Sequence, residues 1–244
     1  MTPSGTRASV CMATCNGERF IEPQVASILA QLGPQDEIVV SDDHSSDRTL
    51  EKIRGFGDRR IRVFKNPRRG VTANFENALA HATGEFVFLS DQDDVWLEGK
   101  RATMCDALAS HALVLSDCRV ADAEGRLLHE SYFALLGSRP GLVRNFLRNS
   151  YLGCCMAFRR GLLELALPIP AAVAHDYWIG MLGELTGKPL FLARALLMYR
   201  RHGATASFAG GKSGRPLATR IGSRVVLAWH LLRRMGTIRA RRGG

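Results

Sequence analysis

The feature that most constrains the fold is a short apolar run that ends abruptly in carboxylates. The run from Phe86 to Leu89 is followed within five residues by Asp91, Asp93 and Asp94. Apolar runs of this length that are rich in β-formers and bounded by turn residues are typical of buried strands. Open α/β sheets bind ligands at the carboxyl ends of their strands. The run therefore predicts a buried strand that delivers acidic side chains to a ligand-binding edge.

A second predicted strand ends in the same way, because Glu37 to Ser41 runs directly into Asp42 and Asp43. Periodicity along the chain predicts further strands at 8–13, 61–64, 112–117, 153–158 and 191–196. It predicts helices at 18–32, 49–55, 71–82, 97–110, 176–186 and 217–235, with a polar turn at 120–126. Strands that alternate with helices in units of about 25–35 residues predict a mostly parallel, doubly wound α/β sheet flanked by helices.

Asp91 and Asp93 point in the same direction if their backbone is extended, because they are two residues apart. Two carboxylates crowded together without a cation have a raised pKa and reduce stability. Mg²⁺ typically binds one or two carboxylates together with substrate phosphates. The pair therefore predicts a site for Mg²⁺ or Mn²⁺. The alternative is a solvated turn after a core strand, because so short a motif also occurs by chance.

The net charge of +10 is concentrated at the carboxyl end of the chain. Nine Lys and Arg residues and no acid lie between Lys212 and Arg242. This distribution predicts two parts, a nearly neutral globular domain at 1–207 and a basic, amphipathic helical tail at 208–244. Arginines around an apolar helix that contains Trp229 suit the headgroup layer of an anionic membrane, through residues 212–242.

Two other partners for the tail stay open at this stage. The helix could instead pack on the body or on a second copy of the chain. Nucleic acid would be attracted by the same charges, but no nucleic-acid-binding motif accompanies them, so it is disfavoured.

The chain has no apolar run near the roughly 20 residues that span a bilayer, and no signal-peptide pattern. Six cysteines without a Cys-x-x-Cys pair indicate a reducing cytoplasm and disfavour zinc. We therefore expect a cytoplasmic protein, with the inner face of the cell membrane as a candidate location.

Five segments occur in a characteristic order, at 13–18, 40–47, 91–96, 175–178 and 199–203. Together they resemble family 2 glycosyltransferases, which have the GT-A fold with a Rossmann-like central sheet. The resemblance covers about residues 9–207. It is nearest to the bacterial rhamnosyltransferase-like branch, which carries the Asp-Gln-Asp-Asp-Val-Trp block that is present here from Asp91 to Trp96.

The resemblance implies a role for each matching position. Asp42 would accept a hydrogen bond from the ring N–H of the base, and Cys15 stands where the family commonly has an aromatic residue. The metal ligands would be Asp91, Asp93 and His202, and Asp176 would be the catalytic base. The full set of implied nucleotide-binding residues is Thr14, Cys15, Asn16, Glu18, Asp42, Asp43, Asn74 and Asp91. The implied acceptor-side residues are Trp178 and Gly153, whereas Cys154 and Cys155 are expected to be packing residues.

The chemistry of sugar transfer independently requires these residue types. A divalent cation stabilises the charge on a departing diphosphate, and a carboxylate can take the proton of the attacking hydroxyl. One-step displacement with a single base inverts the anomeric centre. An ionised Asp176 near the start of a helix is favoured by the helix dipole, although an aspartate there can also act only as a cap. His202 could likewise be an ordinary surface histidine.

These observations predict an inverting, metal-dependent glycosyltransferase. It would move rhamnose or a similar hexose from a dTDP- or UDP-linked donor to a hydroxyl of a glycan or lipid-linked acceptor, in cell-surface polysaccharide biosynthesis. Two alternatives remain. The loop of Asp91 and Asp93 also fits a haloacid-dehalogenase-like phosphatase, although at least three predicted strands precede it here. The chain could also be a non-catalytic module that binds membranes or glycans.

Overall fold

The computed structural model describes residues 6–187, 189–202 and 217–242. Its strands are β1 (Ala8–Thr14), β2 (Glu37–Asp42), β3 (Ile61–Lys65), β4 (Phe86–Asp91), β5 (Val95–Trp96), β6 (Leu113–Ala121), β7 (Leu127–His129), β8 (Met156–Arg159) and β9 (Leu190–Arg200). Its α-helices are α1 (Ile21–Leu29), α2 (Thr49–Gly55), α3 (Val71–His81), α4 (Lys100–Leu108), α5 (Tyr132–Leu136), α6 (Leu142–Leu147), α7 (Arg160–Ala166), α8 (His175–Thr186) and α9 (Leu217–Arg242). The strands form one sheet in the order β3-β2-β1-β4-β8-β6-β9-β5, and β7 pairs with β6.

The first four strands in the sheet order are parallel, with β3 at the edge and β2, β1 and β4 buried. Phe86 and Phe88 of β4 belong to one hydrophobic core, and Val87 and Leu89 belong to the core on the other side of the sheet. Successive residues of a strand face opposite sides, so a strand covered by helices on both faces is apolar throughout. The predicted α/β class with a helix-flanked sheet is confirmed.

The second part of the sheet mixes strand directions. β8 is antiparallel to both β4 and β6, β9 is parallel to β6, and β5 is antiparallel to β9. Because β8 runs against its neighbours, its amino end lies at the same edge as the carboxyl ends of β1, β2 and β4. The chain just before Met156 is thereby brought next to Asp91.

Several predicted boundaries differ from the structure because of tertiary pairing. Val95 and Trp96 pair with β9, so the helix expected from residue 97 begins only at Lys100. Pairing with β9 also extends β6 to Ala121, into the expected turn. The strand expected at 153–158 begins only at Met156, after a 3-10 turn at Gly153–Cys155. Strand β7 and helix α7 were not expected.

The predicted carboxyl-terminal helix is confirmed and extends to Arg242. Leu227 and Leu231 are buried in the core that also contains Tyr177 and Trp178 of α8. The helix therefore packs on the body through one face. The boundary predicted between residues 207 and 208 lies outside the described residues. Among the helices that the structure describes, none is long and apolar enough to cross a membrane.

Candidate active site

A cleft of about 300 Å³ opens at the carboxyl edge of the parallel strands. The carboxyl ends of β1, β2 and β4, the start of α3, the 3-10 turn and the start of α8 border it. The lining residues are Ala13, Thr14, Cys15, Asp43, Val71, Asn74, Phe75, Asp91, Gln92, Asp93, Gly153, His175, Asp176 and Tyr199. Eight of the residues predicted from the sequence therefore meet in one cleft, namely Thr14, Cys15, Asp43, Asn74, Asp91, Asp93, Gly153 and Asp176.

The wall formed by β1 is held in place by amide side chains. The Gln92 side chain accepts a hydrogen bond from the backbone N–H of Cys15 at 2.8 Å and donates one to its carbonyl at 2.9 Å. The Asn74 Nδ2 donates to the carbonyl of Thr14 at 3.0 Å. The Asn74 Oδ1 is buried and has no hydrogen-bond partner among the described residues. This wall therefore carries an acceptor atom that is available to a ligand.

The two acids at the end of β2 have different environments. The Asp42 side chain is buried and accepts hydrogen bonds from the Thr14 hydroxyl at 3.0 Å and from the Ser45 backbone N–H at 2.9 Å. Its carboxylate is thus bonded within the protein, and Asp42 is not among the residues that line the cleft, so its predicted contact with a base stays a prediction. Asp43 lines the cleft, and its Oδ2 accepts from the backbone N–H of Gly70 at 2.8 Å.

Asn16 and Glu18, which were also predicted to bind the nucleotide, lie outside the cleft lining. The Asn16 Oδ1 accepts from the backbone N–H of Ser46 at 2.8 Å, and the Glu18 Oε2 accepts from that of Arg48 at 2.9 Å. Both side chains therefore join the loop after β1 to the loop after β2. They position the wall instead of forming it.

The predicted metal ligands are close to one another. The His202 Nε2 lies 2.7 Å from the Asp93 Oδ2, and its ring stacks on Phe20 with a centroid distance of 4.7 Å. Asp91, at the end of β4, lies close enough to the carboxylates of Asp93 and Asp176 for their charges to raise its pKa. The histidine that follows β9 is thus brought to the acidic loop that follows β4.

A further group of ligand atoms lies behind the predicted ones. One side-chain atom from each of Asp91, Asp94 and Cys154 lies within 4.8 Å of the others. Asp94 is fully buried, and its Oδ1 accepts from the backbone N–H of Arg200 at 3.1 Å. Its Oδ2 has no hydrogen-bond partner in the part of the chain that the structure describes. Cys154, expected only to pack, therefore contacts the acidic site.

The acidic site is electrostatically strained without a cation. Burial and the charges of Asp93 and Asp176 raise the pKa of Asp91 to about 8. Burial, then the charges of Asp93 and Asp91, raise the pKa of Asp94 well above its usual range. A divalent cation would compensate these charges. The carboxylate oxygens are the ligands that Mg²⁺ and Mn²⁺ prefer, so the donor set fits such an ion, whereas the Cys154 thiol is a softer ligand.

Asp176 is the second residue of α8, and it lines the cleft. Its Oδ1 accepts from the backbone N–H of Tyr177 at 2.7 Å. Gly153 leaves the space that this wall needs. A Cβ at that position would lie 3.1 Å from the His175 Nε2 and 3.4 Å from the Asp176 Cβ. Residues 91 and 176 are thus brought together by the sheet and by the packing of α8.

Trp178 is not on the acceptor side of the cleft. It is fully buried, and its Nε1 donates to the carbonyl of Ala166 at 2.8 Å. Two helical positions after Asp176 correspond to a rotation of about 200°, so the two side chains face opposite directions. Trp178 is therefore a core residue.

Four lining residues had no predicted role although each lies in one of the quoted motifs, namely Ala13, Gln92, His175 and Tyr199. His175 stacks on Phe75 with a centroid distance of 3.9 Å. Its burial lowers its pKa, so the ring is neutral near pH 7. Position within a motif was the only sequence signal that could have identified these residues.

Comparison with known proteins gives a consistent family. The model of the family described as glycosyl transferase family 2 matches residues 9–165. The chain is 36% identical over 93 residues to UDP-Glc:alpha-D-GlcNAc-diphosphoundecaprenol beta-1,3-glucosyltransferase WfgD of Escherichia coli, which covers 38% of this chain and 37% of that protein. It is 33% identical over 105 residues to dTDP-rhamnosyl transferase RfbG of Shigella flexneri, covering 40% of this chain and 36% of that protein. The chain thus spans well under half the length of these relatives.

Solved structures show the same fold. S. aureus TarS in complex with UDP-GlcNAc has a TM-score of 0.66 at 20% identity, covering 84% of this chain and 62% of that chain. The mannosyltransferase PcManGT from Pyrobaculum calidifontis, in complex with GDP-Man and Mn²⁺, has a TM-score of 0.61 at 22% identity, covering 87% and 59%. The predicted GT-A fold is confirmed. Because the family model covers well over half of the sequence, the chain belongs to glycosyl transferase family 2.

Proposed function

We propose that this protein is a metal-dependent glycosyltransferase that moves a sugar from a nucleoside diphosphate donor to a hydroxyl of a glycan or lipid-linked acceptor, in cell-surface polysaccharide synthesis. The observation that carries the proposal is the placement of Asp176 in one cleft with Asp91 and Asp93, although these acids lie about 85 residues apart in the chain. A chance cluster of acids would not be expected to bring residues so far apart in sequence into one cleft.

The β1 wall is the donor end of the cleft in this proposal. Thr14, Cys15, Asp43 and Asn74 surround a space in which a base and a ribose can bind. The Asn74 Oδ1 is an acceptor for a base or sugar N–H or O–H, and bonding it would remove the cost of a buried polar atom without a partner. UDP- and dTDP-linked sugars are the proposed donors, and rhamnose or a related hexose is the proposed sugar.

Asp91, Asp93 and His202 would hold the cation beside the diphosphate. When bound, Mg²⁺ or Mn²⁺ stabilises the negative charge that develops on a leaving diphosphate. The His202 Nε2, 2.7 Å from Asp93, fixes the orientation of that carboxylate. The carboxylates then have the counter-charge that they lack within the protein.

Asp176 would take the proton of the acceptor hydroxyl as that hydroxyl attacks the anomeric carbon. Its position in the first turn of α8 favours the ionised form, because the amino end of a helix is positive. A single candidate base in the cleft, Asp176, supports a one-step displacement with inversion of the anomeric centre. The neutral ring of His175, next to Asp176, can hydrogen-bond a sugar hydroxyl without a net charge.

The alternatives have less support. Membership of family 2 gives no support to a haloacid-dehalogenase-like phosphatase, and the Asp91 loop follows the fourth strand in sequence instead of the first. A non-catalytic module would have no need for costly buried carboxylates such as Asp94. The division into residues 1–207 and 208–244 and the cytoplasmic location remain predictions.

The proposal is tested by measuring the melting temperature with UDP, dTDP and GDP, each with and without Mn²⁺. We expect a nucleoside diphosphate to raise the melting temperature strongly only with the metal, because ligands that bind the folded state stabilise it. Asp93→Asn should abolish the metal-dependent part. Glu164→Gln, which changes an exposed carboxylate outside the cleft, should leave it intact. Hydrolysis of an aryl phosphate without any nucleotide effect would instead identify a phosphatase.

A further inference from the structure

The carboxyl-terminal helix α9 has two faces of different character. On its inner face, Leu227 and Leu231 are buried against the body. The Arg234 guanidinium donates to the carbonyls of Leu167 and Pro168, each at 2.8 Å. These contacts fix the rotation of the helix about its own axis. The inner face of α9 is therefore held against the body, and the face opposite Leu227 and Leu231 points away from it.

The outer face of α9 is an apolar stripe. Ile221, Val225, Trp229 and Leu232 are 56%, 63%, 51% and 73% exposed. Their spacing of four, four and three residues places them along one side of a helix, opposite Leu227. An amphipathic helix that is docked on a protein normally exposes polar residues on its outer side. This one exposes large apolar side chains instead.

Helix α6 also has large apolar side chains that are exposed. Val143 and Leu147 of α6 are 71% and 63% exposed. The Arg224 guanidinium of α9 donates to the carbonyl of Leu147 at 3.4 Å, so the carboxyl end of α6 lies within reach of that side chain. We name Val143, Leu147, Ile221, Val225, Trp229 and Leu232 the apolar outer face. Six large apolar side chains exposed in this way indicate a surface that binds a protein or a membrane.

Charge distinguishes between these partners. The Arg233 guanidinium lies 4.5 Å from the Trp229 ring centroid, and that of Arg224 lies 4.9 Å from the Tyr177 ring centroid, so cations border the stripe. No acid occurs in the sequence between Lys212 and Arg242. A second copy would bring the same positive charges against these, whereas an anionic bilayer offers lipid for the apolar side chains and phosphate for the arginines.

We propose that the apolar outer face lies in the headgroup layer of an anionic membrane. Membrane binding and packing on the body were predicted as alternatives for this helix. In the proposal both occur, because the inner face of α9 packs on the body and its outer face contacts lipid. Helix α9 contacts α8 where the Arg224 guanidinium packs over the ring of Tyr177, the residue after Asp176. With the membrane on its outer side, α9 holds the helix of the proposed base at the lipid surface. This last step rests on the proposed function, because only a lipid-linked acceptor makes that position useful.

The test compares the full chain with the triple variant Val225→Gln, Trp229→Gln, Leu232→Gln. Each is sedimented with vesicles of phosphatidylglycerol and phosphatidylcholine and with vesicles of phosphatidylcholine alone. We expect the wild type to bind the anionic vesicles, and the variant to bind them at least about tenfold more weakly, because burial of apolar side chains drives interfacial binding. The matched control is Leu127→Gln, Leu128→Gln, which changes exposed apolar residues of β7 and should bind like the wild type.

Each other result has a fixed meaning. Equal vesicle binding by the triple variant and the wild type would overturn the proposal. So would a wild-type dimer that the triple variant dissociates without vesicle binding, or binding to duplex DNA in place of vesicles. The melting shift given by nucleotide and Mn²⁺ should be the same in the triple variant, which shows that the variant is folded. If that shift is absent from both proteins while vesicle binding depends on the stripe, the proposed function fails and the membrane surface stands.

Discussion

The two walls of the cleft differ in how far their polar groups are satisfied within the protein. On the β1 and β2 side, Asp42, Asn16 and Glu18 accept hydrogen bonds from neighbouring loops, and Gln92 forms two bonds with the Cys15 backbone. At the end of β4 and in the loop that follows it, Asp91, which lines the cleft, and Asp94, which is buried behind it, are carboxylates with strongly raised pKa values. On the β1 and β2 side, the buried Asn74 Oδ1 is the acceptor that still lacks a partner among the described residues, whereas the acidic side requires a cation.

This difference indicates how the two walls would contribute to function. A pre-organised wall loses little entropy when it binds a nucleotide, so its loops favour affinity. A wall of crowded carboxylates reduces the stability of the metal-free protein in exchange for a cation site and a base. Changes on the carboxylate side should therefore affect turnover and metal response, and changes on the loop side should affect donor binding.

The largest expected effect is that of Asp176→Asn. The amide cannot accept the acceptor's proton, so turnover should fall by about 100- to 10,000-fold, the usual contribution of a general base. Nucleotide binding in the presence of Mn²⁺ should stay close to that of the wild type, because the residues proposed to bind the base and ribose belong to other elements than α8. Sugar transfer and nucleotide binding are measured side by side, with Glu164→Gln as the exposed control. Transfer at the wild-type rate by Asp176→Asn would contradict its role as the base.

An intermediate effect is expected on the pH dependence of stability. The pKa of Asp91 is about 8 in the folded protein, and about 3.9 is usual for an unfolded chain. Between these values the folded state binds more protons, so the free energy of unfolding of metal-free protein should fall as the pH rises. The fall should be smaller in Asp91→Asn, which cannot ionise.

Denaturant unfolding from about pH 5 to about pH 8, with and without Mn²⁺, measures this dependence. The metal should stabilise the wild type more at the higher pH, because ionised carboxylates bind it. Asp91→Asn should show little such gain. An equal dependence on pH in the wild type and in Asp91→Asn would show that Asp91 is not the source of the electrostatic strain.

The smallest effect should come from the satisfied wall. Gln92→Ala removes two hydrogen bonds to the Cys15 backbone, each worth about 1 kcal/mol, so donor affinity should fall by up to about thirtyfold with little change in the turnover of bound donor. Gln35→Ala is the control, because Gln35 is exposed and does not line the cleft. The split between KM and kcat tests the comparison directly. A fall in kcat alone would place Gln92 with the catalytic wall.

The sequence was most informative where chemistry and local pattern coincide. Strands such as β4 are apolar on both faces because helices cover both sides of the sheet, so they could be recognised without a structure. Their terminal acids could be placed at one edge because parallel strands share a direction. In this way Asp91 and Asp93 could be placed at the same edge as the acids that follow β2, whereas Asp176, which lies on a helix, was joined to them only by the family resemblance.

Tertiary structure decided which side chains face the cleft. Asp42 and Asp43 are adjacent acids in one motif, yet only Asp43 lines the cleft, because successive side chains of an extended segment point in opposite directions. Trp178 is in the same motif as Asp176 but is buried, because the packing of α8 sets which side faces the core. Cys154 contacts the acids only because β8 runs antiparallel to β4. Local patterns carry no information on such rotations and strand directions, because these are set by contacts between residues far apart in the chain.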